Sequence, residues 1–294
     1  MRAFAHDVYT YPLPPSHRFP LAKYRLVREA VERLPGVEVA EARRATWREL
    51  RAAHVVPYLA RVRAGGLDRR EELALGLPWS PALVERARRA TGATLMAARA
   101  SLEDGVALNL GGGTHHAFAD GGRGFCVFND VVTARHALTE EARRVLVVDL
   151  DVHQGDGTQA LLMDDPGAFT FGINGFRNYP FRRVPGDLEL DLPDGTGDER
   201  YLDGLARLLP QALDRARPDL CFYLAGADPY AGDRLGRLAL SREGLAARDR
   251  LVRDTLRAAG VPVCVTLAGG YADPIEDTVA INVETVRVFS ASPS

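Results

Sequence analysis

Lysine is almost missing from this chain. Lys23 is the only one, and every other basic side chain among the 294 residues is arginine. An excess of either charge sign is also missing. The 37 basic and 39 acidic side chains leave a formal net charge of −2, which gives no electrostatic reason to expect nucleic acid or an anionic membrane as a partner. Cysteine is scarce: Cys126, Cys221 and Cys264 stand far apart, with no CxxC pair and no dense framework, so reduced thiols are expected. No apolar run is long enough to span a bilayer, and Met1 to Tyr11 lacks the cationic segment and apolar stretch of a secretory leader. A cytoplasmic location is the expectation. Repeats, linkers and low-complexity segments are lacking too, so a single catalytic domain is expected over residues 1–294.

What is present is an alternation of short apolar runs with helical periodicity. Strands are expected near 4–6, 107–110, 145–148, 168–173, 188–192, 220–225 and 263–267. Helical patterns cover 24–34, 46–53, 59–64, 81–103, 129–137, 201–216, 241–259 and 274–289. The proline-rich stretch 11–20 must be extended or looped, and 174–197 reads as a long irregular segment around one strand. Strands alternating with helices predict an α/β protein around a mainly parallel sheet.

Chemistry gathers where strands end. Val145 to Val148 is an unbroken β-branched and leucine run, as in a strand covered on both faces, and it leads into Asp149, Asp151 and His153 at alternate positions. In extended backbone these three side chains point the same way. Such groups are costly to bury without a partner, and a cation supplies one. Three further strand ends carry polar or glycine-rich sequence: Gly111 to His116, Gly226 to Asp233, and Gly269-Gly270-Tyr271. The carboxyl ends of parallel strands lie on one edge of a sheet, so these groups can converge.

Asp151, His153 and Asp228 would together offer two carboxylates and an imidazole, the donor set of a zinc site that keeps an open position. An aspartate before Pro229 also fits a turn on its own. His115 and His116 follow a glycine triplet at a strand end, where paired imidazoles suit proton transfer. Asp149 and Asp156 are the carboxylates available to orient them and fix their tautomers, although turn chemistry alone accounts for Gly155-Asp156-Gly157. Tyr271 follows two glycines that let backbone approach a ligand, and its phenol can donate to a developing oxyanion. Cys126 has no base beside it in sequence and is a poor candidate nucleophile.

Taken together, these motifs resemble the zinc-dependent histone deacetylase superfamily, including its bacterial acetoin-utilisation and acetylpolyamine amidohydrolase relatives. The carriers are Gly111-Gly112-Gly113-Thr114-His115-His116, Gly124-Phe125-Cys126-Val127-Phe128-Asn129-Asp130, Asp149-Leu150-Asp151-Val152-His153-Gln154-Gly155-Asp156-Gly157, Ala225-Gly226-Ala227-Asp228 and Gly269-Gly270-Tyr271. Gln154, the run Gly232 to Gly236 and the segment Pro14 to Tyr24 resemble the class IV branch and its bacterial relatives. The resemblance implies the arginase–deacetylase fold, a three-layer α/β/α sandwich. It assigns a metal to Asp151, His153 and Asp228, with Zn2+ as the expected ion and Fe2+ as the other candidate. It makes His116, paired with Asp156, the general base and then acid, gives His115, paired with Asp149, a charge-stabilising role, and has Tyr271 polarise the amide carbonyl. Gly124 and Phe125 would line an acyl-lysine tunnel, and Gly270 would add backbone beside the substrate. The implied partner is an acylated lysine peptide or protein, or an acylated small amine. Two departures stand out. Ala268 replaces the first glycine before the tyrosine, and Gly172 stands where a serine usually helps to bind K+, which puts K+ in question.

Two other readings compete. Val147-Val148-Asp149-Leu150-Asp151-Val152 also fits the opening of a haloacid-dehalogenase-type phosphatase, with Asp149 as nucleophile, but that leaves His115, His116 and Tyr271 unused. A non-catalytic acyl-lysine binder on the same scaffold could dispense with His116.

Overall fold

The computed structural model describes residues 1–14, 17 and 19–291. Part of the expected loop at 11–20 therefore lies outside the described residues. Eight strands form one sheet: β1 (Arg2–Ala5), β2 (Glu38–Glu41), β3 (Val106–Asn109), β4 (Val145–Asp149), β5 (Ala168–Gly175), β6 (Leu188–Leu192), β7 (Leu220–Leu224) and β8 (Val263–Thr266). Their order is β2-β1-β3-β8-β7-β4-β5-β6, and every pairing is parallel.

Side chains alternate across the sheet. Val145 and Val147 of β4 face a core shared with α5 (Pro81–Asp104) and α6 (Asp130–Ala137). Leu146 and Val148 face the opposite core, shared with α1 (Ala22–Val31), α8 (Asp198–Ala216), α9 (Arg242–Ala258) and α10 (Ile275–Ser290). Covering a parallel sheet on both faces produces the three-layer α/β/α arrangement that the uninterrupted apolar strands require.

The helix starts follow local chemistry. Ser80 caps α5 with Pro81 in the first turn, Asn129 caps α6 and Ser241 caps α9, each side chain accepting a backbone N–H of the first turn. Short helices α2 (Trp47–Leu50) and α3 (Val56–Ala64) occupy the expected places, and Thr46 and Glu49 form a capping box on α2. Four elements add to the expected set: a 3₁₀ turn (Asp7–Tyr9), the edge strand β2, α4 (Arg69–Leu75) opened by an Asp68–Glu71 capping box, and α7 (Asp156–Leu162). The sequence reads Gly155 to Gly157 as a turn, yet Asp156 is the first residue of a helix.

Candidate active site

The adjacent strands β3, β8, β7 and β4 carry the four chemical segments at their carboxyl ends. Residues more than a hundred positions apart thus meet on one sheet edge. Asp149 closes β4 and accepts from His115 Nδ1 at 2.7 Å; Asp156 Oδ1 accepts from His116 Nδ1 at 2.6 Å. The two imidazoles lie 4.1 Å apart, centroid to centroid. Strand alternation does not account for Asp151 and His153, because the strand stops at Asp149. Carboxylates capture the backbone instead. Asp149 Oδ1 accepts the Asp151 N–H (3.2 Å), Asp228 Oδ1 the Val152 N–H (2.9 Å) and Asp151 Oδ1 the His153 N–H (3.0 Å).

The donor atoms of Asp151, His153 and Asp228 all lie within 4.8 Å of one another, and all three residues are buried. Asp228 Oδ2 has no hydrogen-bond partner among the described residues. Gly269 is required beside it, since a Cβ there would collide with both Asp228 Oδ2 and Asp151 Oδ2. Burial together with the charge of Asp151 pushes the Asp228 carboxyl up to about 7. Burial would also raise Asp151, but the His115 and His153 imidazoles outweigh it and hold Asp151 low. Two buried carboxylates left to repel each other are relieved by a divalent ion, so the residues present fit one. Beside the trio, Gly172 offers no hydroxyl, and the amide Nδ2 of Asn174 faces the carbonyls of Asp151 and His153 at 3.4 Å each.

His115 and His116 diverge electrostatically. Burial alone would lower His115, but the charges of Asp149 and Asp151 outweigh it and lift the imidazole to about 9. Burial and the neighbouring His115 charge lower His116 to about 4 against the pull of Asp156. Tyr271 is pushed well above its ordinary 10, first by burial and then by the charges of Asp228 and Asp151.

These groups open onto a cavity of about 690 Å³. Phe125 and Gly124 line it, and both adopt positive φ (68° and 50°). A Cβ at Gly124 would stand 2.7 Å from His116 Cδ2, so glycine lets this backbone lie against the imidazole. Tyr179 presents its ring edge-on to His116, with centroids 4.9 Å apart. Tyr271 packs near Phe125 and Phe19, at 6.0 and 6.1 Å. The lining includes Gly269 and Tyr271, and the intervening Gly270 carbonyl accepts from Lys23 Nζ at 3.0 Å.

Comparison with known proteins agrees with this geometry. A Histone deacetylase domain matches residues 17–286. The chain belongs to the histone deacetylase family. It is 42% identical over 281 residues to an uncharacterised protein of Picosynechococcus sp., covering 93% of each chain. It is 31% identical over 243 residues to a histone deacetylase-like amidohydrolase of Pseudomonas aeruginosa, covering 76% of this chain and 64% of that one. In fold it matches a histone deacetylase homologue from Aquifex aeolicus with a TM-score of 0.84 at 23% identity, covering all of this chain and 84% of the other. The protein is thus a deacetylase-class hydrolase with the arginase–deacetylase fold. The phosphatase reading fares poorly, because the carboxylate it needs as nucleophile, Asp149, is committed to His115.

Several side chains of this site receive no role from the sequence alone, although Asp233 and Asp130 lie within motifs that carry the resemblance. Asp233 accepts the Tyr271 N–H at 2.6 Å while its other oxygen takes Leu235 and Gly236 N–H. Asp130 braces the glycine-rich loop, accepting from Gly113 N, Thr114 N and the hydroxyls of Thr94 and Thr114 at 2.6–3.0 Å. Arg248, wholly buried, donates to the carbonyls of Leu150 (3.3 Å) and Gly226 (2.6 Å), on the two segments that carry Asp151 and Asp228. The contacts Asp233–Tyr271, Asp130–Gly113 and Arg248–Leu150 join residues far apart in the chain, and Tyr179 comes from an irregular segment, so spacing alone does not reveal their partners.

Proposed function

We propose that the protein is a zinc-dependent amidohydrolase of intracellular acyl-lysine side chains or related acylated amines, organised as one catalytic domain. The observation that carries this reading is the opening of the Asp151/His153/Asp228 trio, two His–Asp pairs and Tyr271 onto one cavity. Asp151, His153 and Asp228 would hold Zn2+, Fe2+ being the other candidate. The bound ion would supply Lewis acidity toward the amide carbonyl and lower the pKa of a water.

The remaining chemistry falls to the chain's own side chains. His116, held neutral by burial, accepts the proton of the attacking water at Nε2, because its Nδ1 is engaged by Asp156. It then returns a proton to the departing amine. His115, lifted by Asp149 and Asp151, keeps positive charge beside the developing oxyanion. Tyr271 donates its phenolic hydrogen to that oxyanion. Phe125 and Tyr179 flank the aliphatic stem of the acyl-lysine and exclude water from the reacting amide.

The test is acetate release from an acetyl-lysine peptide by protein stripped of metal and then reloaded with zinc. Release that requires the ion is expected. Binding of the peptide without turnover would favour the non-catalytic binder, and phosphate release from phosphoesters would favour the phosphatase.

A further inference from the structure

Resting on that reading, the mouth of the cavity narrows the substrate. Arg177, Arg234 and Arg237 line it, beside the exposed apolar side chains of Leu73 (65% exposed) and Phe181 (90%). The guanidinium side chains are themselves 72%, 62% and 55% exposed. Their acidic neighbours are fewer. Asp194 serves both Arg237 (3.3 Å) and Arg177 (3.9 Å), and Asp273 stands 3.4 Å from Arg234. Among the described residues, neither aspartate is part of the cavity lining, whose single carboxylate, Asp151, belongs to the trio. The lining also includes a buried cation, Arg86.

Exposed pairs of this length contribute little and exchange readily, so the three guanidiniums are free to turn toward a ligand. Arginine's planar fork suits bidentate capture of a carboxylate. A polycationic chain would instead meet like charge at the opening, where the nearby carboxylates, Asp194 and Asp273, each already stand beside an arginine. We propose that the mouth selects acyl-lysine carried in an acidic segment of a protein or peptide and disfavours acylated polyamines. Leu73 and Phe181 would cover the apolar parts of such a segment.

The experiment compares the zinc-loaded enzyme on two acetyl-lysine peptides that differ only in acidic or basic residues flanking the acetyl-lysine, with N-acetylspermidine as a third substrate. At low ionic strength kcat/KM should favour the acidic peptide by about tenfold, and the preference should shrink as salt is added. The triple replacement Arg177→Gln, Arg234→Gln, Arg237→Gln should bring the ratio close to one. A basic peptide or acetylspermidine turned over as well as the acidic peptide overturns the proposal. Fluorescence anisotropy of the labelled peptides gives an independent reading. If no substrate is hydrolysed but the acidic peptide still binds tighter, the amidohydrolase reading falls and the mouth assignment stands; equal binding removes the mouth assignment.

Discussion

The sharpest test of the proposed chemistry is Tyr271→Phe. The Tyr271 hydroxyl has no hydrogen-bond partner among the described residues, so its removal orphans no buried group. The ring keeps its neighbours Phe125 and Phe19, and the backbone N–H keeps Asp233. None of the three metal-facing donor atoms belongs to it. Folding stability should therefore change by less than about 0.5 kcal/mol and zinc content should stay at wild-type level. What is lost is one donor to the developing oxyanion, worth about 3 kcal/mol, or roughly a hundredfold in kcat. Because burial keeps the phenol protonated well past neutral pH, the ratio of the two turnover numbers should stay constant across the neutral range. Acetate release from an acetyl-lysine peptide, measured together with zinc stoichiometry, decides the matter. A kcat within threefold of wild type would refute the assignment, and so would a loss of zinc that accounts for the whole effect.

Three other expectations follow from the same geometry. Asp228→Asn should weaken zinc binding at least a hundredfold, by analogy with the roughly 10–100-fold cost of losing mere supporting groups; it should also raise the melting temperature of the metal-free protein, since it removes a carboxylate crowded by Asp151. Metal analysis and thermal melts of stripped protein check both signs. His54 donates to the Phe118 carbonyl through Nδ1 and accepts the Asn129 N–H at Nε2, and burial lowers it from the ordinary 6.5 to about 4. The unfolded chain therefore takes up a proton that the fold refuses, and stability falls as pH drops from 6.5 toward 4, by up to about 3 kcal/mol; denaturant melts of His54→Gln should lack this part of the slope. Exchanging KCl for choline chloride should leave activity and melting temperature unchanged, because Asn174 Nδ2 faces the carbonyls that a monovalent cation would need, and a potassium-dependent rise in either would refute this.

Much of the fold was legible because each central strand is a short apolar run between breakers, and the long helices α5 and α9 carry serine caps at the residues that announce them. Edge strand β2 was not legible. Its sequence, Glu38-Val39-Ala40-Glu41, is half charged, as suits an edge, and only its pairing with β1 makes it a strand. Helix α7 was hidden by the glycines on either side of Asp156, which read as turn chemistry until the helix is seen to start there and aim that carboxylate at His116. The candidate site divides in the same way. Groups at strand ends declare themselves through burial cost, because a carboxylate after four apolar residues needs a partner. Groups that act by bracing, such as Asp233 under Tyr271 or Arg248 behind Leu150 and Gly226, are ordinary charged residues in sequence and acquire meaning only from the chain that folds against them.

The histidine pair shows why identical neighbouring residues can take different tasks. His115 and His116 are equally buried, and each gives Nδ1 to one aspartate. The difference is the second carboxylate. His115 Nε2 also lies 3.9 Å from Asp151, so two anions act on one imidazole and favour its charged form. His116 has Asp156 alone, and the charge on His115 opposes a second one 4.1 Å away. Charging one ring thereby helps to keep the other neutral, which separates a proton acceptor from a fixed cation within a single dipeptide. The separation depends on Asp149 retaining its negative charge. Neutralising it should weaken the hold on a proton at His115 and, through that loss, ease protonation of His116, which moves the two imidazoles toward each other from opposite sides.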